Sequence, residues 1–215
     1  MEANANSIVT VTVDDVALEG ELIVPDGATG LVLFAHGSGS SRHSPRNNFV
    51  AERVRARGVG TLLFDLLTEA EDRTYETRFD IPLLTDRLVG ATRWVRSREH
   101  TASLKIGYFG SSTGSAAALR AAARPETDVA AVVSRGGRVD MAEDVLDRVS
   151  AATRFIVGGN DHPVLEWNEE AFELLAGEKS LEVVEGASHL FEEPGTLETV
   201  ADQAGEWFAE SLSHQ

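Results

Sequence analysis

The chain has 215 residues, enough for one domain with a full core. Its 35 acidic and 19 basic residues leave a net charge of −16, and such a surface repels nucleic acid and anionic membranes. There is no cysteine, so disulfides, thiolate nucleophiles and zinc–thiolate sites are excluded, and any nucleophile is oxygen or nitrogen. The acidic balance suits a soluble acidic enzyme, with a high-salt source as the alternative. No apolar run reaches the roughly 18 residues that span a bilayer. The opening "MEANANSIVT" lacks the basic and apolar regions of a signal peptide, and the expected compartment is the cytoplasm.

In chain order, "SIVTVTV" and "VALEGELIV" flank Asp14-Asp15 and read as an antiparallel hairpin at one sheet edge. "LVLFAH", "GTLLFDLL", "LKIGYFG", "DVAAVVSRG", "TRFIVGG" and "LEVVEG" follow as nearly continuous apolar runs. These are expected as central parallel strands covered on both faces. Between them, Ile81, Leu84, Leu88, Ala91 and Val95 share one helical face, with Asp80 as N-cap and Pro82 in the tolerant first turn. After Pro194, the residues Leu197, Val200, Ala201, Ala204, Trp207 and Phe208 repeat the helical pattern. The alternation predicts a single α/β domain over 1–215, with a mostly parallel sheet, right-handed crossovers and little spare length for a lid.

Ligands of such sheets bind at the carboxyl ends of the strands. There "GYFGSSTGSAAAL" turns from strand to helix. Gly110-Ser111-Ser112-Thr113-Gly114 matches G-x-S-x-G, a pattern in which the central serine is strained and flanking side chains would collide. Ser112 is the candidate nucleophile and Ser111 a small spacer. The alternative is a helix start with Ser112 as its cap. G-x-x-x-x-G-K-[ST] is absent, and the glycines lack G-x-G-x-x-G spacing.

A serine nucleophile needs a base, and the base needs an orienting acid. "TRFIVGGNDHPV" turns into Asp161, and "LEVVEGASHLF" turns into His189, in the chain order serine, acid, histidine. The alternatives are Asp161 as a turn residue or helix N-cap, its neighbour His162 as the histidine of interest, and His189 as a satisfied loop histidine; Asp140 after "VVSRGGRVD" is the second candidate acid. The oxyanion calls for the N–H of Thr113 and one from the loop His36-Gly37-Ser38-Gly39, where Ser38 is the natural donor. The six histidines (His36, His43, His100, His162, His189 and His214) show no i,i+4 pair and no H-E-x-x-H, so no metal is expected. Arg42, His43 and Arg46 in one loop, with Arg135 and Arg138 in "SRGGR", are candidates to rim one pocket for an anionic substrate group. The favoured reading instead pairs these arginines with local acids such as Asp140, Glu143, Glu192 or Glu193, which hold the loops.

"HGSGSSRHSPRN", "TLLFDLLT", "RFDI", "GYFGSSTG", "VVSRGGR", "VGGNDHPV" and "SHLFEEPG" together resemble the α/β-hydrolase superfamily. More narrowly, they resemble the dienelactone hydrolase-like group, of the type also found joined to phosphoribosyltransferase domains. The resemblance covers essentially the whole chain. It implies a core sheet with an antiparallel N-terminal hairpin, helices on both faces, no large lid and a Ser-Asp-His triad. Dienelactone hydrolases proper use cysteine where this chain has Ser112. The expected activity is hydrolysis of small carboxylic esters through an acyl-enzyme, with no metal or organic cofactor. Thioester cleavage, acyl transfer and a non-catalytic ligand binder on the same fold are the rivals.

Overall fold

A computed structural model describes residues 5–213; the first four residues and the last two, His214 and Gln215, lie outside it. Eight strands form one sheet in the order β1-β2-β4-β3-β5-β6-β7-β8. They are β1 (Ala5–Val13), β2 (Val16–Val24), β3 (Gly30–Ala35), β4 (Gly60–Phe64), β5 (Lys105–Ser111), β6 (Val129–Arg135), β7 (Ala152–Gly158) and β8 (Lys179–Val184). β1 and β2 pair antiparallel, as do β2 and β4, and every other pairing is parallel. The hairpin turns at Asp14, which takes a φ of 48°, a left-handed conformation that aspartate tolerates better than most residues.

Six α-helices cover the sheet: α1 (Pro45–Arg55), α2 (Glu69–Asp72), α3 (Ile81–Arg96), α4 (Thr113–Ala122), α5 (His162–Leu174) and α6 (Thr196–Ser211). A 3-10 segment, Val139–Arg148, packs with α4 and α5. One core lies under α3, α4 and α5, with Leu33, Phe64, Leu88, Tyr108 and Phe155 buried in it. The other lies under α1 and α6, around Phe34, Val50, Phe109, Trp207 and Phe208. Each such large apolar side chain contributes about 1.5–3 kcal/mol by leaving water.

The helical face expected from Ile81 to Val95 is the buried face of α3, and Asp80 accepts a hydrogen bond from the Leu83 amide at 3.0 Å. Gly90 lets this helix press onto β1, because a Cβ there would run into Val13. The α6 pattern is equally legible, with Val200, Ala201, Ala204, Trp207 and Phe208 buried.

One strand differs from expectation. By its sequence "LEVVEG" reads as a central strand covered on both faces. It is parallel, but it is the sheet's edge strand β8, only partly covered, with Val183 45% exposed. A continuous apolar run does not separate a covered strand from an edge, since exposure depends on what stands beside it. Residues 68–79 fold into α2 and a 3-10 turn, Glu76–Phe79, beside the carboxyl ends of the strands. Both ends of the described chain lie at the opposite rim. Ala5 pairs with Val24 near the start of β4, and the carbonyl of Ser213 accepts from Lys105 Nζ at the start of β5.

Candidate active site

β5 ends at Ser111, and α4 starts at Thr113. Between them Ser112 has φ 50° and ψ −121°, a strained conformation for a residue with a Cβ. Its side chain does not cap α4, so the N-cap alternative does not describe this serine. The close packing explains both glycines. A Cβ on Gly110 would sit 2.7 Å from the Ser115 amide nitrogen, and one on Gly114 would collide with the carbonyl of Ala35. The bend is held by its neighbours. The Ser112 amide donates to the Arg135 carbonyl at 3.2 Å, and the Arg138 amide donates to the Ser112 carbonyl at 3.0 Å.

Asp161 and His189 meet from two loops. His189 Nδ1 lies 2.6 Å from Asp161 Oδ2. Asp161 stands at the N-cap position of α5 yet makes no side-chain cap hydrogen bond; its carboxylate is directed at the imidazole instead. The carboxylate is mostly covered and the imidazole is 38% exposed, so the pair is open on the histidine side. His162 is exposed, and Asp140 is engaged by Arg138 through two hydrogen bonds of 2.9 and 2.8 Å.

The imidazole packs against Gly136, with φ 51°, where a Cβ would lie 3.4 Å from Nδ1. Gly136 directly follows Arg135, which accepts the Ser112 amide, and this connection brings serine and histidine to the same rim. No hydrogen bond joins the Ser112 hydroxyl to His189 among the described residues; such catalytic contacts often tighten only as the reaction complex forms. The histidine loop is tied back at several points. Glu193 accepts from the Ser188 amide at 3.0 Å, which holds its carboxyl below the usual carboxylate range. Asn160 donates its side-chain amide to the Gly186 carbonyl at 3.0 Å and its backbone amide to Ala187, also at 3.0 Å.

The loop after β3 runs over the serine turn. A Cβ on Gly37 would lie 3.2 Å from Ser112 Cβ, so the loop touches the candidate nucleophile. His36 fastens it: Nδ1 bonds the Gly37 carbonyl and Nε2 accepts the Leu66 amide, both at 3.0 Å. Burial pushes the His36 pKa down, which keeps the ring neutral and Nε2 free to accept. The Ser38 amide donates to Thr113 Oγ1 at 2.9 Å. Beside this loop lies a cavity of about 460 Å³, lined among others by Leu18, Glu19, His36, Asp65, Leu67 and Asp72.

Of the five basic residues singled out, three arginines are engaged by acids. Arg42 turns to Glu19 at 2.9 Å and Asp65 at 3.6 Å. Arg138 pairs with Asp140 and lies over the Trp167 ring, 4.8 Å from its centroid. Arg46 is 3.5 Å from Glu192, and His43 is exposed. Arg135 is different: it is 7% exposed, and its Nε and Nη1 have no hydrogen-bond partner among the described residues. Burial, with Arg46 nearby, brings its pKa down to about 10. The described residues contain no group of three or more His, Asp or Glu side chains arranged to hold a metal.

Sequence reasoning missed Gly136, the two bonds of His36 and the Thr113 side chain. "SRGGR" and "AHGSG" contain the first two, but their roles depend on contacts with distant segments.

A dienelactone hydrolase from Anabaena variabilis shares 54% identity with this chain, with a TM-score of 0.95 over 98% of this chain and 99% of that one. The chain belongs to the dienelactone hydrolase family of α/β hydrolases. More distant structures share only the fold. The esterase Est1E from Butyrivibrio proteoclasticus has 15% identity and a TM-score of 0.81, covering 96% of this chain and 99% of that one. An esterase from Pyrococcus furiosus has 19% identity and a TM-score of 0.79, covering 98% and 94%. Two Mycobacterium tuberculosis strains carry a protein named "Putative phosphoribosyl transferase" that is 54% identical over 204 residues. That match covers 95% of this chain, and the chain spans about half, 46%, of the length of those curated relatives. No family model matches. Within the dienelactone hydrolase family, this chain carries serine at the turn after β5.

Proposed function

We propose that the chain is a serine hydrolase acting on small carboxylic esters. The observation that carries this reading is the 2.6 Å contact between His189 and Asp161, set beside a strained, uncapped Ser112. Ser112 Oγ attacks the ester carbonyl, and its proton passes to His189 Nε2. Asp161 fixes the imidazole with Nδ1 protonated and stabilises the imidazolium. The alcohol leaves with that proton, giving an acyl-enzyme that water then cleaves by the same route in reverse order of roles. The oxyanion is stabilised at the N-terminus of α4, where the Thr113 amide is one of the donors a helix leaves unpaired.

The cavity beside the Ser38 loop is the natural place for one arm of the ester. Its edge carries Glu19, Asp65, Glu69 and Asp72, each paired with an arginine: Arg42 for the first two, Arg73 and Arg78 for the others. That edge offers no spare positive charge, and with Arg42, Arg46 and Arg138 already in ion pairs the reading favours an uncharged ester. Phosphoribosyl transfer appears in the name of the longer mycobacterial relatives, of which this chain spans 46%, and is not proposed for this chain.

The test is labelling with a fluorophosphonate, with the adduct mapped by peptide, together with turnover of a short aryl ester. Wild type reacts at Ser112, and Ser112→Ala loses the label and at least about 10³-fold in kcat while staying folded. Turnover by Ser112→Ala at the wild-type rate would overturn the proposal. Competition by added thiols or alcohols for the acyl group separates hydrolysis from acyl transfer.

A further inference from the structure

The Ser38 amide is already occupied. It donates to Thr113 Oγ1 at 2.9 Å across 75 residues of sequence, and Thr113 is 1% exposed. A hydroxyl carries two lone pairs and one proton. Ser38 uses a lone pair, and among the described residues no acceptor takes the proton. Several buried threonines elsewhere spend theirs: Thr85, Thr101, Thr127 and Thr153 each donate to a backbone carbonyl at 2.6–3.0 Å, whereas Thr61, which accepts from Arg55 Nη1 at 2.9 Å, shares the state of Thr113. Thr113 is the first residue of its helix, so the carbonyl one turn upstream that serves Thr85 is not available to it. A proton-bearing hydroxyl, polarised by an amide, therefore stands one residue beyond Ser112, at the positive end of α4.

Resting on the serine-hydrolase reading, we propose that the Thr113 hydroxyl is itself an oxyanion donor and that Ser38 acts through it. The chain is Ser38 N–H to Thr113 Oγ1, and Thr113 Oγ1–H to the oxyanion. As the bond from Ser112 Oγ to the carbonyl carbon forms, the carbonyl π pair moves onto oxygen and the serine proton goes to His189. Thr113 donates a hydrogen bond and gives up no proton. An amide donating into a hydroxyl strengthens that hydroxyl as a donor, and the Thr113 amide adds a second bond from the same residue. Thr113 is thereby a catalytic residue through both backbone and side chain, while Ser38 is a positioning residue. The competing arrangement has Ser38 donating directly, with the Thr113 hydroxyl merely occupying its amide at rest.

The two arrangements differ in the isosteric variant Thr113→Val. On the proposed arrangement it lowers kcat for an aryl ester by about 10²-fold, as loss of one oxyanion donor does. KM stays near the wild-type value, and the rate of fluorophosphonate labelling falls in parallel with kcat. Thr113→Ser, which keeps the hydroxyl, recovers to within about tenfold of wild type, on the scale that a lost donor costs 10²-fold. If Thr113→Val is poorly folded by its thermal midpoint, Thr113→Ala carries the same comparison. Unchanged or raised kcat in a folded hydroxyl-free variant overturns the proposal, as do equal losses in the valine and serine variants. If wild type neither labels nor turns over, the hydrolase reading fails first and this inference with it. A wild type that labels normally beside an indifferent Thr113→Val defeats this inference alone.

Discussion

Two segments border the serine turn, and they are finished differently. On one side, the loop after β3 is held by many bonds, with the buried Arg42 Nε as its one side-chain atom lacking a hydrogen-bond partner among the described residues. Both nitrogens of His36 are used, the Ser38 amide meets Thr113, and the Arg42 amide meets Asp65 Oδ1 at 2.8 Å. On the other side, around residues 134–138, polar atoms are buried without partners. Ser134 Oγ, Ser115 Oγ, Asn168 Oδ1, and Nε and Nη1 of Arg135 all lack one among the described residues. Ser134 and Ser115 both crowd Gly137, where a Cβ would meet each hydroxyl. An unmade buried hydrogen bond costs about 1–3 kcal/mol. The more fully bonded loop thus contributes to stability, whereas the second segment draws on it. The loop therefore loses by substitution, and the second segment has room to gain.

The largest effect that sharpens this contrast is expected at Gly114, where the loop and the turn touch. Gly114→Ala drives a methyl into the Ala35 carbonyl, and the loss is about 3 kcal/mol by overpacking, read from the urea midpoint. A midpoint equal to wild type would mean that the loop yields and is not rigidly held. The next effect is in pH. Folded His36 has a lowered pKa, so between the unfolded value of 6.5 and the lower folded value the unfolded chain binds more protons. Stability therefore falls as pH drops below about 6.5. The urea midpoint of wild type falls more steeply from pH 7 to pH 5 than that of His36→Asn; parallel slopes would break the claim that a neutral His36 fastens the loop. The smallest effect is at Arg135. Arg135→Met removes an unpaired buried charge, so the thermal midpoint stays level or rises, since a buried charge replaced by a packed apolar group is often neutral or stabilising. A marked fall would show that this guanidinium is satisfied in solution.

Much of the architecture is legible in the sequence because strands and amphipathic helices are local patterns. The hairpin at Asp14, the N-cap at Asp80 and the buried faces of α3 and α6 all depend on neighbours within a few residues. The place of β8 at the edge is not local, and its apolar run reads like that of a central strand. For the site, order and spacing nominate Ser112, Asp161 and His189, but they cannot separate an N-cap aspartate from one facing a histidine 28 residues away. That choice appears only when the loops after β7 and β8 are side by side. The arginines divide the same way. Arg138 with Asp140 is a pair two residues apart and readable in principle, whereas Arg42 with Glu19 spans 23 residues and is not. The Ser38–Thr113 bond, at 75 residues, lies furthest from anything a linear pattern records.

The rim away from the site gathers both ends of the described chain, Ala5 beside Val24 and Ser213 beside Lys105. Geometrically, the sheet is a plate with its handles on one edge and its working surface on the other. A tether, tag or second folded unit joined at either end begins a full strand length away, about 17–20 Å for a strand of average length. Immobilising the protein by its ends would therefore leave the candidate site facing outward.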